Sequence, residues 1–506
     1  MTDSKTASSI PFTIPGYKKE ALLKETLSTL FSRDSDRVRI SEFVLLEDSR
    51  DSNDIDAAVE LCQYLQKTFG VKSSAITYAE KQAMRCKILD GDKALEEPLD
   101  FALFGMKELE KARGAGANRN AQILHFAGRD YACADDDILF TYHTFCRPLS
   151  WSAHRNADGL TMPISAFFSD AGKLRLEGKT GFFKHKEIEP YLGSPFSDFI
   201  NVLGKTPEEL DLHHESSPKE AVRVAVTGIY GGRWFNGAHM ARRMEHALIS
   251  RLWKNEAEFE EADLNPWCIQ LIPEMAVSAV PFLVNSHYAL RNSEFLPPYL
   301  YHARAEDDLF VSIFRVCYPD SGVCHLPFAV GHSKDVKEVF LKGKPGENIL
   351  PTSKLQGGSS VNAILSECFR ICSCDIHEKD PEKRIKQVSR SLLDIASLSD
   401  KSRRELFMTI HLRKAAGEMA DLQNRIDLAG GRPSYWAKEL EHQLETQKKY
   451  TSLTEPFNPM EFVNAGYAEN GEHLFVEYIK QTAQLFDAWA ELRRKAEAIN
   501  KAEGDS

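Results

Sequence analysis

The pattern of apolar and polar residues divides the chain into two regions of different character. From Ile10 to about residue 332, short runs of β-branched and aromatic residues alternate with helical stretches, which is typical of βαβ units around a mostly parallel sheet. From about residue 360 onward, apolar residues recur at helical spacing among many charges. These later helices are predicted at residues 383–396, 400–428, 433–450 and 471–501.

A segment rich in Gly, Pro and Ser at residues 342–360 lies between the two regions and is predicted to be a linker. The sequence therefore predicts an α/β domain over residues 1–341 and an all-α domain over residues 361–506. The charged residues after Ala496 are expected to fray, because terminal segments are poorly ordered unless other contacts hold them.

The first strands of the α/β region indicate where a ligand would bind. Apolar runs predict strands and helices in alternation, at residues 10–15, 19–32, 38–46, 54–69 and 71–78. The second strand ends just before Asp48, and open α/β sheets bind ligands at the carboxyl ends of their strands. The next residues, 79–113, are interpreted as a helical insertion.

A glycine-rich segment at residues 114–120, with the sequence GAGANRN, leads into the following helix. Free backbone N–H groups at a helix start favour an anion, and the guanidinium of Arg119 adds a fixed charge that suits a phosphate. Taken alone, this motif has low specificity.

Three successive acids, Asp135, Asp136 and Asp137, follow a short apolar strand at residues 130–134. Their mutual repulsion is unfavourable at the end of a buried strand unless a positive group lies nearby. A divalent cation is the natural candidate, since Mg²⁺ and Mn²⁺ are bound by one or two carboxylates together with substrate phosphates. The alternative is a solvated acidic turn. The order of strand, helix entry, strand and acid cluster favours the metal site.

Composition and charge exclude several classes of protein. The 506 residues include 63 basic and 74 acidic side chains and carry a net charge of −11 without a large basic block, which argues against a nucleic-acid partner. No signal peptide and no run of about 18 apolar residues is present, so we expect no membrane span.

Ten scattered cysteines without a secretory signal favour a cytoplasmic compartment. The cluster Cys368, Cys372, Cys374 and His377 lacks paired CxxC spacing and lies on an apolar helical segment, so a structural role is preferred over a metal site.

Three segments in order resemble the nucleotide-binding half of family 2 glycosyltransferases with the GT-A fold. They are IPFTIPGYKKEALLKETLSTLF, FVLLEDSRDSND and GAGANRNAQILHFAGRDYACADDD. The resemblance implies a mixed, mostly parallel sheet with flanking helices. It also implies a nucleotide-sugar half at residues 10–140, an insertion at 141–225 and an acceptor half at 226–341.

The same resemblance assigns roles to individual residues. Asp48 is expected to contact the nucleobase, and Arg119 with Asn120 to support the nucleotide. Asp135 and Asp136 are expected to bind the nucleotide sugar. The chain departs from the family pattern in three places: Glu47 precedes Asp48 where paired aspartates are usual, Asn118 replaces a small residue, and the insertion at 79–113 lengthens the spacing.

A metal role is implied for Asp137, and His332 is the residue at the position where some GT-A enzymes place a histidine that completes the metal site. His325 is the alternative, and a lone histidine is more often an ordinary hydrogen-bonded residue.

The later region at residues 279–332 resembles the acceptor half of the family. It contains Glu306 and Asp307, which lies 172 residues after Asp135. In inverting members such an aspartate takes the proton of the acceptor, so Asp307 is the expected catalytic base. Acids are also favoured in the first turn of a helix, and both roles are compatible.

The resulting hypothesis is a hexosyltransferase-like glycosyltransferase that needs Mn²⁺ or Mg²⁺. It would transfer a sugar from a nucleoside diphosphate donor to a nucleophile on a glycan, a peptide or a small molecule, and the resemblance favours inversion. A retaining transferase and a GT-A-like nucleotide-binding scaffold without turnover are the alternatives. The helical region is a candidate surface for acceptor binding or for homo-oligomer formation.

Overall fold

The computed structural model describes residues 8–16, 20–112, 116–145, 164–167, 188–212, 219–232, 255–256, 267–272, 274–278, 287–300, 306–332, 361–428, 434–451 and 470–504. The expected linker at 342–360 lies outside these residues. No helix in the described ranges combines the length and the apolar composition that crossing a lipid bilayer requires.

The first part of the chain forms alternating strands and helices, as the apolar pattern predicts. These elements are β1 (Ile10–Gly16), α1 (Glu20–Phe31), α2 (Asp34–Arg37), β2 (Ile40–Glu47), α3 (Ser52–Phe69) and β3 (Ser73–Ile76). Local signals set the ends of α3. The Asp51 side chain accepts a hydrogen bond from the Asn53 backbone at its start, and Gly70 adopts a left-handed conformation with φ of 70° at its end.

The segment predicted as a helical insertion is helical. It contains α4 (Tyr78–Leu89) and α5 (Glu96–Phe104), with short 3₁₀ turns at Lys93–Leu95 and Lys107–Ala112. A capping box between Thr77 and Glu80 begins α4, so the chain turns directly from β3 into this helix.

The remaining elements of the α/β region complete one sheet of twelve described strands. They are α6 (Gly116–His125), β4 (Tyr131–Ala134), β5 (Ile138–Phe145), β6 (Ile164–Phe167), β7 (Ile188–Pro190), α7 (Pro195–Val202), β8 (Val224–Gly232), β9 (Trp267–Leu271), β10 (Ala276–Ser278), β11 (His287–Leu290), α8 (Glu306–Cys317) and β12 (Val323–His332). Among the described parts of the expected insertion at 141–225, β6 and β7 are strands of this sheet, and α7 is a helix with residues in one of the apolar cores.

The sheet is mixed, with the order β3-β2-β1-β4-β11-β8-β12-β5-β7. Strands β3, β2, β1 and β4 run parallel to one another. Strand β11 is antiparallel to both of its neighbours, β4 and β8, and β12 returns to the direction of β8. The carboxyl ends of β1, β2 and β4 consequently meet at one edge of the sheet.

The sheet is covered on both faces, because successive residues of its strands point to opposite sides. In β2, Val44 and Leu46 join one apolar core and Phe43 and Leu45 join the other. The first core includes residues of α5, α6 and α8, and the second includes residues of α1, α3 and α7.

The C-terminal region is helical, as predicted from its periodicity. It contains α9 (Val361–Ser373), α10 (Pro381–Ser397), α11 (Asp400–Leu428), α12 (Ser434–Thr451) and α13 (Gly471–Gly504). The fold class is therefore confirmed as a mixed α/β sheet with flanking helices followed by C-terminal helices.

Helices α9, α10, α11 and α13 share the first core with the sheet. The indole of Trp489 on α13 is fully buried and donates a hydrogen bond to the Leu296 carbonyl at 2.7 Å. The expected fraying after Ala496 is wrong, since α13 continues to Gly504. Asn500 explains the difference, because its side chain binds the Leu124 carbonyl at 3.1 Å.

Candidate functional site

The edge of the sheet where β1, β2 and β4 end carries the acids that the sequence predicts for a ligand site. Asp48 follows the last residue of β2, and Asp135 follows the last residue of β4. Strand β1 lies between them and pairs in parallel with both. The crevice beyond the carboxyl ends of such strands is where open α/β sheets bind ligands.

Asp48 forms an ion pair with a lysine that the sequence analysis did not single out. The Lys81 side chain is fully buried, and its Nζ donates to the Asp48 Oδ1 at 2.6 Å. The same ammonium donates to the side-chain oxygen of Asn118, near the start of α6. Asp48 keeps 26% of its side chain exposed. One buried cation therefore connects the end of β2 with the glycine-rich helix entry.

Arg119 lies behind the acid cluster, with only 1% of its side chain exposed. The guanidinium donates to the carboxylate of Asp135 and to the Cys133 sulfur, and it lies 5.3 Å from the centre of the Tyr288 ring. The buried Arg119 guanidinium therefore places a positive charge against the Asp135 carboxylate. The expected contact between Arg119 and a phosphate stays a prediction.

Asn120 binds backbone groups of two other segments. Its Nδ2 donates to the Ala102 carbonyl at 3.0 Å and to the Tyr299 carbonyl at 2.9 Å, while the Tyr299 N–H donates to its Oδ1 at 2.7 Å. The side chain is fully buried. Asn120 thus connects α6 to α5 and to the segment before α8, and a contact with the nucleotide stays a prediction.

The acid triplet forms the turn between β4 and β5, and His332 lies beside it. In the register of β5 and β12, His332 pairs with Ile138, the residue after Asp137. This pairing places the His332 Nε2 3.3 Å from the Asp137 Oδ1. The neighbouring Gly331 permits the close approach, because a Cβ there would lie 2.9 Å from the Leu139 Cβ.

The electrostatic environment of the triplet is dominated by burial and by like charges. Burial raises the pKa of the Asp135 carboxyl to about 7, although the adjacent Arg119 guanidinium acts to lower it. Three neighbouring carboxylates add to the increase: Asp137, Asp136 and Glu306. Glu306 is the first residue of α8, so the fold brings the second acid block close enough for its charge to act on Asp135 despite their separation in sequence.

Asp307 follows Glu306 in the first turn of α8 and is half-buried, whereas Asp308 is exposed. Burial is the main cause that raises the pKa of Tyr299, and the charge of Asp307 adds to it. The Tyr299 ring stacks on Phe310 with centroids 4.1 Å apart. The helix that carries the expected base is therefore packed against the residue that Asn120 holds. Both readings of Asp307, as base and as a favourable first-turn acid, are compatible with this position.

The residues present fit a divalent cation held jointly with a ligand. The separation of 3.3 Å between Asp137 and His332 is close to the roughly 3 Å expected for two adjacent ligands of an ion with bonds of about 2.1 Å. Within the described residues, no group of three or more His, Cys, Asp or Glu side chains is arranged to hold a metal. An ion at Asp137 and His332 would hence need oxygens from a bound phosphate, as Mg²⁺ in nucleotide sites commonly does.

His325, the alternative to His332, lies elsewhere. It pairs with Ala276 and Val226 at the opposite end of β12, and seven residues of strand span about 20 Å. The ring is buried, and burial lowers its pKa to about 4. Of the two histidines, the structure brings only His332 to Asp137.

Lys81 is the residue of this site that the sequence analysis missed. A signal for it exists, because Lys81, Met84 and Ile88 have helical spacing and the latter two pack in the first core. A lysine on the apolar face of a helix is unusual and indicates a buried partner.

Comparison of the chain with protein-family models, curated proteins and solved structures gives no match.

Proposed function

We propose that this protein is a glycosyltransferase that moves a sugar from a nucleoside diphosphate donor to an acceptor nucleophile. One observation carries the proposal. Asp48 and the triplet beginning at Asp135 lie at one edge of the sheet, where the parallel strands end, and the charge of Glu306, from a distant part of the chain, acts on Asp135. Acids that converge where parallel strands end suit a nucleotide bound together with a cation.

The donor would lie along this edge from Asp48 to Asp137. The Asp48 carboxylate can only accept hydrogen bonds when ionised, so it would accept from an N–H of the nucleobase. Asp135, held by Arg119, would accept from a ribose hydroxyl, and Asp136 would contact the nucleotide sugar. Asp137 and His332 would hold Mn²⁺ or Mg²⁺, which supplies charge neutralisation for the departing diphosphate.

Asp307 is the proposed general base. In the transfer, the acceptor oxygen forms a bond to the anomeric carbon while the bond from that carbon to the diphosphate oxygen breaks. The electron pair of the broken bond leaves with the diphosphate, and the acceptor proton goes to the Asp307 carboxylate. This single displacement inverts the anomeric configuration. The acceptor nucleophile would belong to a glycan, a peptide or a small molecule.

The proposal is tested by calorimetric titration of the purified chain with uridine and guanosine diphosphates, each with Mn²⁺ and with a chelator. We expect metal-dependent binding of at least one of them, followed by slow hydrolysis of the corresponding nucleotide sugar. Binding of neither nucleotide, with or without metal, would contradict the donor-site assignment. Binding without hydrolysis or transfer would favour a nucleotide-binding scaffold.

A retaining transferase would share the donor site but would not use Asp307 as a base. The anomeric configuration of the released or transferred sugar distinguishes the two, since inversion is expected here. Proton NMR of the first product, recorded before it equilibrates in water, gives this configuration.

A further inference from the structure

We propose that Lys81 is a positioning residue that fixes the Asp48 carboxylate for recognition of the nucleobase. This inference rests on the proposed function and deepens it, because it assigns base selectivity to a residue of the helical segment at 79–113. The Lys81 ammonium lies between two side-chain oxygens, those of Asp48 and Asn118. Neither the lysine nor the asparagine belongs to the pattern that the chain shares with family 2 glycosyltransferases.

Stability alone does not account for a lysine here. Burying an ammonium carries a large desolvation cost, and replacing a buried ion pair by apolar side chains is often neutral or stabilising. Lys81 lies on the face of α4 that also carries Ile88, where an apolar side chain would join the first core directly. A fully buried cation at this position is better explained by what it holds in place.

What Lys81 holds is an acid at the end of a strand. Asp48 is partly exposed and lies on a connection, so its carboxylate would otherwise turn freely between rotamers. A charge-assisted hydrogen bond to one oxygen restricts that rotation and leaves the carboxylate with a defined direction. A second contact joins the loop between β2 and α3 to α4. In it, the Arg50 guanidinium lies 4.7 Å from the centre of the Tyr78 ring.

Lys81 also relates the two ends of the proposed nucleotide site. Through Asn118 it holds the start of α6, and the next residue, Arg119, binds Asp135. The groups proposed for the base and for the ribose are therefore connected through two buried cations, Lys81 and Arg119, and the peptide unit between Asn118 and Arg119. A rigid connection of this kind reduces the conformational entropy that the protein loses when a nucleotide binds.

The test measures affinity for uridine, guanosine, adenosine and cytidine diphosphates and for inorganic pyrophosphate, each with Mn²⁺, by calorimetry. The variants are Lys81→Met, Asp48→Asn and the double variant. In the wild type, we expect the preferred nucleotide to bind about 10- to 100-fold more tightly than the least preferred, since a hydrogen bond to a charged group contributes that much. Pyrophosphate has no nucleobase, so its affinity reports on the part of the site proposed to bind phosphate and metal.

In Lys81→Met, we expect the ratio between nucleotides to fall to within about threefold while the affinity for pyrophosphate changes by less than about twofold. The double variant should show the same ratio between nucleotides as Asp48→Asn, because the lysine acts on base selectivity through the aspartate. Lys87→Met is the matched control, since Lys87 lies on the same helix but is exposed and pairs with Glu503.

Two results overturn the inference while leaving the proposed function intact. One is a Lys81→Met variant that keeps the wild-type ratio between nucleotides. The other is a variant that loses affinity for pyrophosphate and for all nucleotides in equal proportion, which would show a purely structural role. If Lys81→Met does not fold, Lys81→Gln, which retains a donor but no charge, is judged by the same ratios. A wild-type protein that binds no nucleotide overturns the proposed function itself.

Discussion

Asn120 and Tyr299 bind each other through two hydrogen bonds of opposite direction, although 179 residues separate them in sequence. The Asn120 amide donates to the Tyr299 carbonyl and accepts from the Tyr299 N–H. A third bond from the same amide reaches Ala102 on α5. This one side chain therefore joins three segments around the proposed donor site.

Replacement of Asn120 by Ala is expected to lower stability by about 3 kcal/mol or more. The change leaves three buried backbone groups without their partner, and each such group costs about 1–3 kcal/mol. Urea denaturation of the purified variant measures the loss. The exposed Ser397, whose hydroxyl binds the Leu393 and Asp394 carbonyls of its own helix, gives the control Ser397→Ala. An Asn120→Ala variant of wild-type stability that binds nucleotide weakly would instead support a direct ligand contact.

Asp137→Ala and His332→Ala should each weaken metal-dependent nucleotide binding by about 100-fold or more. Even outer-shell partners of metal ligands contribute about 10- to 100-fold to affinity, so loss of a direct ligand should cost at least as much. Calorimetry with and without a chelator checks this, with the exposed Asp320→Ala as control. Unchanged binding in both variants, insensitive to the chelator, would remove the metal assignment.

Asp307→Asn separates catalysis from folding. Asparagine keeps the shape of the side chain but cannot take the proton of the acceptor, so the transfer rate should fall by roughly 10² to 10⁴. Donor affinity and the urea midpoint should stay near the wild-type values. Asp308→Asn is the control, because Asp308 is the exposed neighbour. A variant with a nearly normal rate would eliminate Asp307 as the base.

His287 should make the protein sensitive to acid. Its ring is fully buried against aromatic side chains, which include Phe12, Phe140, Phe196 and Phe199, and burial lowers its pKa to about 3. In the unfolded chain the His287 ring binds a proton below about pH 6.5, whereas in the folded protein it stays neutral down to about pH 3. The contribution of His287 to the free energy of unfolding is therefore fully present above pH 6.5 and is lost as the pH falls toward 3.

Below pH 6.5, His287 is expected to lower the free energy of unfolding by about 1.4 kcal/mol for each pH unit, which gives roughly 2 kcal/mol at pH 5. His287→Phe should remove this share of the pH dependence. Urea midpoints of the variant and the wild type at pH 7 and pH 5 give the difference. Replacing the exposed His473 by Gln serves as control. Equal pH dependence in wild type and His287→Phe would contradict the assignment.

The elements of this fold could largely be predicted from periodicity, but their packing could not. The last helix was expected at residues 471–501 and is α13, Gly471–Gly504. An apolar stripe shows that a helix needs a partner without showing which one. For that reason the helical region was predicted as a separate domain, whereas Trp489 and Asn500 bind backbone groups of the α/β region.

The same limit applies to the candidate site. Acids at the ends of apolar strands, such as Asp48 and Asp135, could be located from local pattern alone. The partners of Asn120 and Lys81 could not, because hydrogen bonds between distant segments leave no local periodic signal. Arg119 was expected to offer its charge to a ligand, and the structure places that charge against Asp135.

The position of α13 has a consequence for biosynthesis. Arg493 on this helix is buried and donates a hydrogen bond to the carbonyl of Asn292, just after β11, at 3.0 Å. A ribosome adds about 5–20 residues each second, so α13 is made on the order of tens of seconds after β4. During that interval the apolar face of α5 and α6 that α13 will cover is exposed to solvent. The first core is therefore completed only after translation reaches α13.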